Sequence, residues 1–476
     1  MSRREEGQGR GPKDRAERAA RGPGEAPRAA AGIVRVVRSR RVVTASSTGP
    51  VAIHIDDAGT IARVAAWDDV PAGASLDDYA DLAILPGVVD THVHLNEPGR
   101  TEWEGFATAT AAAAIGGITT VVDMPLNSIP PTTTREGLRA KRDAARGQCA
   151  VDVGFWGGVV PGNDRELAGL VEDGVRGFKC FLIESGVDEF GWSDERVLQI
   201  AMPELARLGV PLLVHAEVAA PIELAAAQIA EMDPNAYATY LASRPPAAEE
   251  QAIEMITRLC AATRARTHIV HHSAATALPL LSRAQADGLP ISAETCPHYL
   301  HFVAERIPDG ATEYKCAPPI RDAANREALW RALGDGVLEL VASDHSPCTP
   351  ALKRGDYLHA WGGVSGLQLA LSVVWTEASS RGFALGDIAR WMSAAPARLA
   401  GLHAKKGAIA AGRDADLVVF DDHATITVTP ESIQHRHRVT PYAGEHLRGA
   451  VRATYLRGSR IVDAGALAAR DHGELI

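Results

Sequence analysis

Six ionisable residues lie within or at the ends of short apolar runs, and their types suit metal binding. They are His92, His94, Lys179, His215, His271 and Asp344. A polar or charged group in an apolar run is costly unless it is paired or bound. Imidazole and carboxylate groups are ligands that zinc and similar divalent ions take in proteins. Each residue alone would more often be structural, so the prediction depends on whether the fold brings them together.

The first pair and the lysine have specific reasons to face a metal. His92 and His94 are separated by one residue, and residues i and i+2 of a strand point to the same side. Lys179 interrupts the apolar run GFKCFL. Burial lowers the pKa of a lysine, and a neutral amine can react with CO₂ to give N6-carboxylysine, whose two oxygens can bridge two cations. A lysine paired with a carboxylate remains the alternative interpretation.

Four imidazoles, one carbamate and one carboxylate predict a centre of two divalent ions, with Zn²⁺ as the default. Two such ions can share a bridging hydroxide and polarise a substrate carbonyl. Asp344 would accept the proton of that hydroxide and return it to the leaving nitrogen. The predicted reaction is hydrolysis without a covalent enzyme intermediate, because no GxSxG motif supports a serine nucleophile. A buried histidine cluster without metal remains possible at this point.

The elements that must position these residues are eight apolar strands that alternate with helical runs over residues 85–399. The strand candidates are residues 87–95, 118–124, 151–159, 175–182, 211–217, 267–273, 290–296 and 338–344. Alternating β and α runs with continuous apolar strands are typical of a parallel sheet. Eight units predict a (β/α)₈ TIM barrel, an α/β fold in which catalytic groups lie at the carboxyl ends of the strands. A doubly wound open sheet is the alternative, but no GxGxxG follows the first strand.

Both ends of the chain have a different texture. Residues 32–84 and 400–476 contain β-rich runs and Gly turns, which predict a small β-sandwich domain formed by both chain ends. Residues 1–31 are rich in Arg, Gly, Glu and Pro with almost no large apolar residues. Such a segment cannot bury enough surface to offset the entropy of ordering, so it is predicted to be a disordered tail.

Composition excludes several classes of protein. The 476 residues include 49 Lys and Arg against 59 Asp and Glu, a net charge of −10, which disfavours nucleic acid as the main partner. There is no apolar run of about 18 residues, so no membrane span is expected. The N-terminus has no apolar signal-like run, and the six cysteines form no CxxC motif, which suits a reduced, cytoplasmic protein.

Several motifs go beyond these patterns: PGVVDTHVHLNEPGRTEWEGF, VDMPLNSIPPTTT, GFKCFL, YLASRPPAAEEQAI, AETCPHYL, CAPPIR, VASDHSPC and AWGGVSGLQ. Over roughly residues 33–422 the chain resembles the cyclic-amidohydrolase branch of the amidohydrolase superfamily, and within it the allantoinase branch. The resemblance implies that His92 and His94 bind the more buried metal, that His215 and His271 bind the more exposed one, and that Lys179 bridges them. It also implies Asp344 as a ligand and proton shuttle, and a homotetramer.

Two positions separate the related activities. Dihydroorotase-like enzymes place an arginine, which suits a substrate carboxylate, where this chain has Asn96. Hydantoinase and dihydropyrimidinase relatives place a tyrosine where this chain has Glu184. The resemblance therefore implies that the substrate is allantoin, an uncharged cyclic ureide that is opened to allantoate. A hydantoinase-like or dihydroorotase-like enzyme is the alternative, and a non-catalytic scaffold is the remote one.

The same resemblance implies substrate contacts after strands seven and eight. Together with Asn96, the candidate substrate-binding residues are Ala317, Ser346 and Gly362, with a plain glycine turn as the alternative for the last. The remaining histidines near the strand ends are less defined. His298 is a candidate to support the site, the role of His272 is open, and His268 and His345 are expected to orient neighbours or to pack.

Overall fold

The computed structural model describes residues 32–468 and 470–476. They form a nine-stranded sheet made from both ends of the described chain, and a parallel barrel made from the residues between. The predicted disordered tail, residues 1–31, lies outside the described residues. No helix in the described ranges is long and apolar enough to cross a membrane.

The nine-stranded sheet joins distant parts of the chain. Its strands are β1 (Ile33–Val43), β2 (Thr48–Asp56), β3 (Ile61–Ala66), β4 (Ser75–Asp78), β5 (Ala83–Pro86), β15 (Leu417–Thr427), β16 (His446–Leu456), β17 (Ser459–Asp463) and β18 (Ala466–Leu467). Their order is β18-β17-β16-β15-β5-β1-β2-β3, with β4 beside β1. Antiparallel pairing of β15 with β5 joins the two ends. Val37, Ile53 and Tyr455 belong to one apolar cluster, so the sheet folds over itself.

The barrel strands pair in parallel. They are β6 (Val88–Val93), β7 (Ile118–Asp123), β8 (Asp152–Phe155), β9 (Gly157–Gly158), β10 (Phe178–Phe181), β11 (Leu212–His215), β12 (Thr267–Ile269), β13 (Ile291–Thr295) and β14 (Leu340–Val341). β8 and β9 are two parts of the third strand. A parallel bridge between Val93 and His345 joins the first strand to the end of the eighth, and the His94 amide donates to the His345 carbonyl at 2.9 Å.

Helices lie between the strands along the chain. They are α1 (Phe106–Ile115), α2 (Arg135–Ala145), α3 (Leu167–Glu172), α4 (Glu195–Leu208), α5 (Ala219–Ile229), α6 (Tyr237–Ser243), α7 (Ala247–Thr263), α8 (Leu278–Ala286), α9 (Pro297–His301), α10 (Ala323–Asp335), α11 (Ala370–Ser380), α12 (Leu385–Ala389) and α13 (Ala395–Leu399). Thr134, Asp194 and Asp322 cap α2, α4 and α10, each accepting a backbone N–H of the first turn. These caps stabilise helix ends whose amides have no partner within the helix.

The barrel interior is apolar below the strand ends. Leu213 lies two residues before His215, and Leu340 lies four before Asp344, so each leucine faces the same side of its strand as that polar residue. Both leucines belong to one buried cluster with Val89 and Val122. Apolar residues therefore fill the middle of the barrel, and the six predicted ligands lie at the carboxyl ends of its strands. This arrangement is typical of a packed (β/α)₈ core with its chemistry at the carboxyl ends.

A segment from the far end of the chain pairs with the third barrel strand. The Val153 amide donates to Glu474 O at 2.8 Å, and the Ile476 amide donates to Val153 O at 2.9 Å. A Cβ at Gly473 would lie 1.9 Å from Val151 O, so a side chain does not fit there. Buried Asp152 in the same strand binds Lys406 at 2.5 Å and accepts a hydrogen bond from Arg457.

The predicted fold class is confirmed: a (β/α)₈ barrel with a small β-sandwich domain formed by both chain ends. The eight barrel strands fall within the eight predicted runs. The division of the chain at residues 84 and 400 stays a prediction.

Candidate metal centre

The six predicted ligands meet at the carboxyl ends of the barrel strands. They line one cavity of about 400 Å³: His92, His94, Lys179, His215, His271 and Asp344. All are buried. Two of them have left-handed backbone conformations, His271 with φ of 39° and Asp344 with φ of 46°. Such strain in non-glycine residues persists where the surrounding structure enforces it, and it clusters at functional sites.

The first group of ligands converges on the aspartate. Asp344 Oδ1 lies 3.2 Å from His92 Nε2 and 3.6 Å from His94 Nε2. One ligand atom from each of the three residues lies within 4.8 Å of the others. Two imidazoles and a carboxylate at this spacing can hold one divalent ion.

The second group consists of two histidines from different strands. His215 Nδ1 lies 3.0 Å from His271 Nε2. Burial lowers the pKa of both imidazoles, that of His271 well below its ordinary value. Both rings are therefore neutral at neutral pH, which is the form that binds a metal. Two nitrogens that face one point so closely fit a second cation position.

Lys179 is the unusual member of the set. Its side chain is fully buried, and Nζ has no hydrogen-bond partner among the described residues. Burial lowers its pKa to about 8. An unpaired amine of this kind is costly as a cation, so the structure does not support the alternative in which Lys179 is paired with a carboxylate. The donor set fits a pair of divalent ions.

Two buried glutamates contact the rings of two predicted ligands, and sequence reasoning missed both. Glu294 Oε1 lies 2.5 Å from His92 Nδ1, and its Oε2 lies 3.0 Å from His268 Nε2. Glu217 Oε2 lies 2.8 Å from His215 Nε2. His268 thus contacts the glutamate that contacts His92, and its orienting or packing role stays a prediction. Glu294 follows an apolar run in PISAET, and this was the one signal that could have found it.

The charges of these carboxylates follow from their neighbours. Burial by itself would raise the pKa of each carboxyl group. His92 and His268 nevertheless lower the pKa of Glu294 to about 2, and Arg244 and His215 lower that of Glu217 to about 2. The Asp344 carboxyl, also buried, has its pKa lowered strongly by His92 and His94. All three groups are ionised at neutral pH.

The predicted substrate-binding residues divide into two groups. Ala317, Ser346 and Gly362 line the cavity. Asn96 is buried and does not line it; its amide donates to Pro347 O at 3.2 Å. The asparagine in the cavity wall is Asn127, whose Nδ2 lies 3.4 Å from His94 Nδ1.

The remaining histidines lie around the centre. His298 lies close to Asp344, and burial lowers its pKa to about 4. His272 is buried, with no partner for either ring nitrogen among the described residues. His345 Nε2 lies 3.6 Å from Glu104 Oε2. Their positions fit supporting or packing roles.

The mouth of the cavity consists of loops. Glu184 is exposed and lines the cavity on one side. On the other side two lysines hold a loop through its carbonyls: Lys315 Nζ donates to Leu358 O at 3.1 Å and to Ala360 O at 2.6 Å, and Lys353 Nζ donates to Trp361 O at 2.9 Å and to Gly363 O at 2.6 Å. Burial lowers the pKa of Lys315 to about 8.

Comparisons with known proteins identify the family of this chain. Residues 83–461 match the amidohydrolase family. The chain is 54% identical to the allantoinase of Streptomyces avermitilis over 431 residues, which cover 90% of this chain and 96% of that protein. It is 45% identical to a probable allantoinase of Oryza sativa subsp. japonica, over 89% of this chain and 87% of the relative.

Solved structures agree as well. The L-hydantoinase (dihydropyrimidinase) from Arthrobacter aurescens superposes with a TM-score of 0.88 at 29% identity, covering 93% of this chain and 99% of that one. The resemblance to the allantoinase branch is confirmed. The chain belongs to the amidohydrolase family.

Proposed function

We propose that this protein hydrolyses allantoin to allantoate at a dinuclear metal centre. It is a hydrolase of cyclic amide C–N bonds, in line with its allantoinase relatives. The observation that supports the proposal most strongly is the convergence of His92, His94, Lys179, His215, His271 and Asp344 on one cavity.

The residues present fit two divalent ions, and the nitrogen-rich donor set favours Zn²⁺. His92 and His94 would hold one ion and His215 and His271 the other, with Lys179 as N6-carboxylysine between them. The unpaired, buried amine of Lys179 supports this modification, because a carbamate gives that position a charge that two cations satisfy. When bound, the ions would supply Lewis acidity to the substrate carbonyl and lower the pKa of the attacking water.

Asp344 moves the proton. Its carboxylate is ionised, faces His92 and His94, and lines the cavity. It can therefore accept a proton from the attacking water and donate it to the ring nitrogen that leaves. Because this nitrogen is a poor leaving group when unprotonated, the second transfer opens the ring.

The cavity wall suits an uncharged ring. Among the described residues that line it, the one arginine is Arg244, and its guanidinium binds Glu217 at 2.6 Å. A guanidinium committed to an internal carboxylate does not provide the bidentate site that a substrate carboxylate prefers. This favours allantoin over dihydroorotate. Ala317, Ser346 and Gly362 would offer polar backbone and hydroxyl groups to the ring amides.

A substrate panel tests the proposal. One metal-loaded preparation is assayed with allantoin, hydantoin, dihydrouracil and dihydroorotate, and allantoate is measured directly. We expect the largest kcat/KM for allantoin. The second candidate, a hydantoinase, is favoured by the structural match to L-hydantoinase. Turnover of hydantoins without turnover of allantoin would replace the proposed substrate and leave the metal chemistry in place.

The cytoplasmic location and the homotetramer stay proposals. Light scattering of the purified protein at several concentrations tests the tetramer, for which about four times the chain mass is expected. Fractionation of the producing cells tests the location.

A further inference from the structure

The two histidines held by glutamates are contacted on opposite ring nitrogens. Glu294 lies against Nδ1 of His92, whereas Glu217 lies against Nε2 of His215. A neutral imidazole has one N–H and one lone pair, and an ionised carboxylate only accepts. The contacted nitrogen therefore bears the proton. His92 keeps a lone pair on Nε2, which faces Asp344, and His215 keeps one on Nδ1, which faces His271.

We propose that Glu217 is a positioning residue that fixes the tautomer and orientation of His215 for the second metal, and that Arg244 holds Glu217 in place. This inference rests on the proposed metal centre. It adds two residues that act through His215 without binding the metal. Carboxylates in this relation to a ligand histidine typically change metal affinity or activity about 10–100-fold when they are removed.

The two carboxylate oxygens of Glu217 differ in their contacts, and this difference supports the positioning role. One oxygen, Oε2, accepts both from His215 Nε2 at 2.8 Å and from Arg244 NH1 at 2.6 Å. The other oxygen, Oε1, is buried without a partner among the described residues. A buried acceptor without a hydrogen bond lowers the stability of the folded protein. Stability alone therefore does not explain a fully buried carboxylate with one unpaired oxygen. Its geometry instead serves the ring beside it.

Arg244 connects this arrangement to the cavity. It follows α6 and lines the cavity, while NH1 binds the same oxygen that His215 contacts. The guanidinium thus restrains the oxygen that also accepts from the His215 ring. Without this contact the carboxylate could rotate, and the ring would lose its fixed acceptor.

The chain contains a matched arrangement away from the centre. His301 Nδ1 lies 2.9 Å from Glu377 Oε1, and Arg381 NH1 donates to Glu377 Oε2 at 2.6 Å. It has the same three residue types, but neither His301 nor Glu377 lines the metal cavity. Glu377→Met therefore controls for the loss of a histidine–glutamate–arginine network as such.

The experiment measures bound metal in the whole protein. Wild type, Glu217→Met, Glu217→Gln and Glu377→Met are loaded with Zn²⁺ and bicarbonate and then titrated with a competing chelator. Metal per chain and the two dissociation constants are recorded. We expect two ions in the wild type. Methionine keeps the volume of Glu217 but removes the acceptor, so one of the two dissociation constants, that of the ion held by His215 and His271, should rise about 10–100-fold.

The glutamine variant distinguishes positioning from packing. Its amide oxygen can occupy the Oε2 position and accept from His215, so Glu217→Gln should retain more affinity than Glu217→Met. Glu377→Met should bind metal as the wild type does. Arg244→Met should weaken the same site by a smaller factor, because the carboxylate remains.

Glu217→Met leaves Arg244 buried without its partner, so the double variant Glu217→Met/Arg244→Met is measured as well. Circular dichroism and thermal melting confirm folding in each case. Wild-type affinity in both the folded methionine variant and the double variant would overturn the inference while leaving the metal centre intact. A wild type that binds no metal would overturn the centre and the inference with it.

Discussion

The floor and the mouth of the cavity are built on different principles. At the floor, buried ionisable side chains hold one another, as in the pairs His92–Glu294 and His215–Glu217. At the mouth, Lys315 and Lys353 bind backbone carbonyls of the loop that contains Trp361. The structure of the floor therefore depends on which side chains are present, whereas the structure of the mouth depends on the path of the backbone. We infer that the floor specifies the chemistry and that the mouth specifies which ring reaches it.

The largest expected effect is at the floor. Lys179→Ala should lose bound metal and hydrolysis together, by about 10³-fold or more, because it would remove the proposed bridging carbamate, which is expected to support several kcal/mol of catalysis. Metal analysis and an allantoate assay measure this. Short carboxylic acids should restore part of both. Full activity in the alanine variant would show that Lys179 does not bridge metals.

The next effect concerns proton transfer. Asp344→Asn should lower kcat by about 10²–10⁴-fold, the range for a lost general acid–base group. The amide cannot accept a proton from water, although it keeps the size of the carboxylate. Asp356→Asn, in a loop at the mouth, is the control and should change kcat little. Similar losses in the two variants would remove the distinction between floor and mouth.

The third effect is a pH dependence of metal reconstitution. Burial lowers the pKa of Lys179 from 10.5 to about 8 in the metal-free protein. Only the neutral amine reacts with CO₂. The fraction of Lys179 in this neutral form rises about tenfold per pH unit below pH 8 and levels off above pH 8. Reactivation of stripped protein at constant dissolved CO₂ and Zn²⁺ should follow that curve. A rate that is flat between pH 6.5 and 8 would contradict the role of this amine.

The smallest effect is at the mouth. Lys353→Met removes the donor of Trp361 O and Gly363 O, which should cost about 1–3 kcal/mol of stability. We expect KM for allantoin to rise severalfold with little change in kcat, since the loop moves while the floor stays intact. Steady-state kinetics and chemical denaturation measure both. A lower kcat at unchanged KM would place Lys353 in the chemistry of the floor.

This difference also explains what the sequence could reveal. The barrel was predictable because its strands are short, apolar and regularly alternated with helices. The six residues that meet in the cavity could be selected from the sequence because each interrupts or closes such a run, as His215 closes LLVH. Their role as metal ligands stays a prediction. Glu294 and Glu217 were not recognised, because their role depends on which ring nitrogen they meet, and for Glu294 that ring is 202 residues away.

The mouth was less accessible to sequence reasoning. Asn96 was expected to face the substrate, but it has a left-handed backbone with φ of 64° and its amide donates to Pro347 O. Asn127 also has a left-handed backbone, and it lines the cavity from the loop after the second barrel strand. In this loop, Lys315 and Lys353 donate to backbone carbonyls. Because every residue has a backbone carbonyl, the sequence does not show which residues these lysines contact.

The pairing of the third barrel strand with residues 473–476 has a consequence for biosynthesis. Val153 exchanges hydrogen bonds with Glu474 and Ile476, more than 300 residues later, and Asp152 accepts from the Glu474 amide at 2.9 Å. A ribosome adds about 5–20 residues per second, so this edge waits at least about 15 s for its partner after it emerges. During that interval an apolar strand has a free edge, a form that invites pairing with other chains. Chaperone demand during translation should therefore be greatest before residues 473–476 emerge.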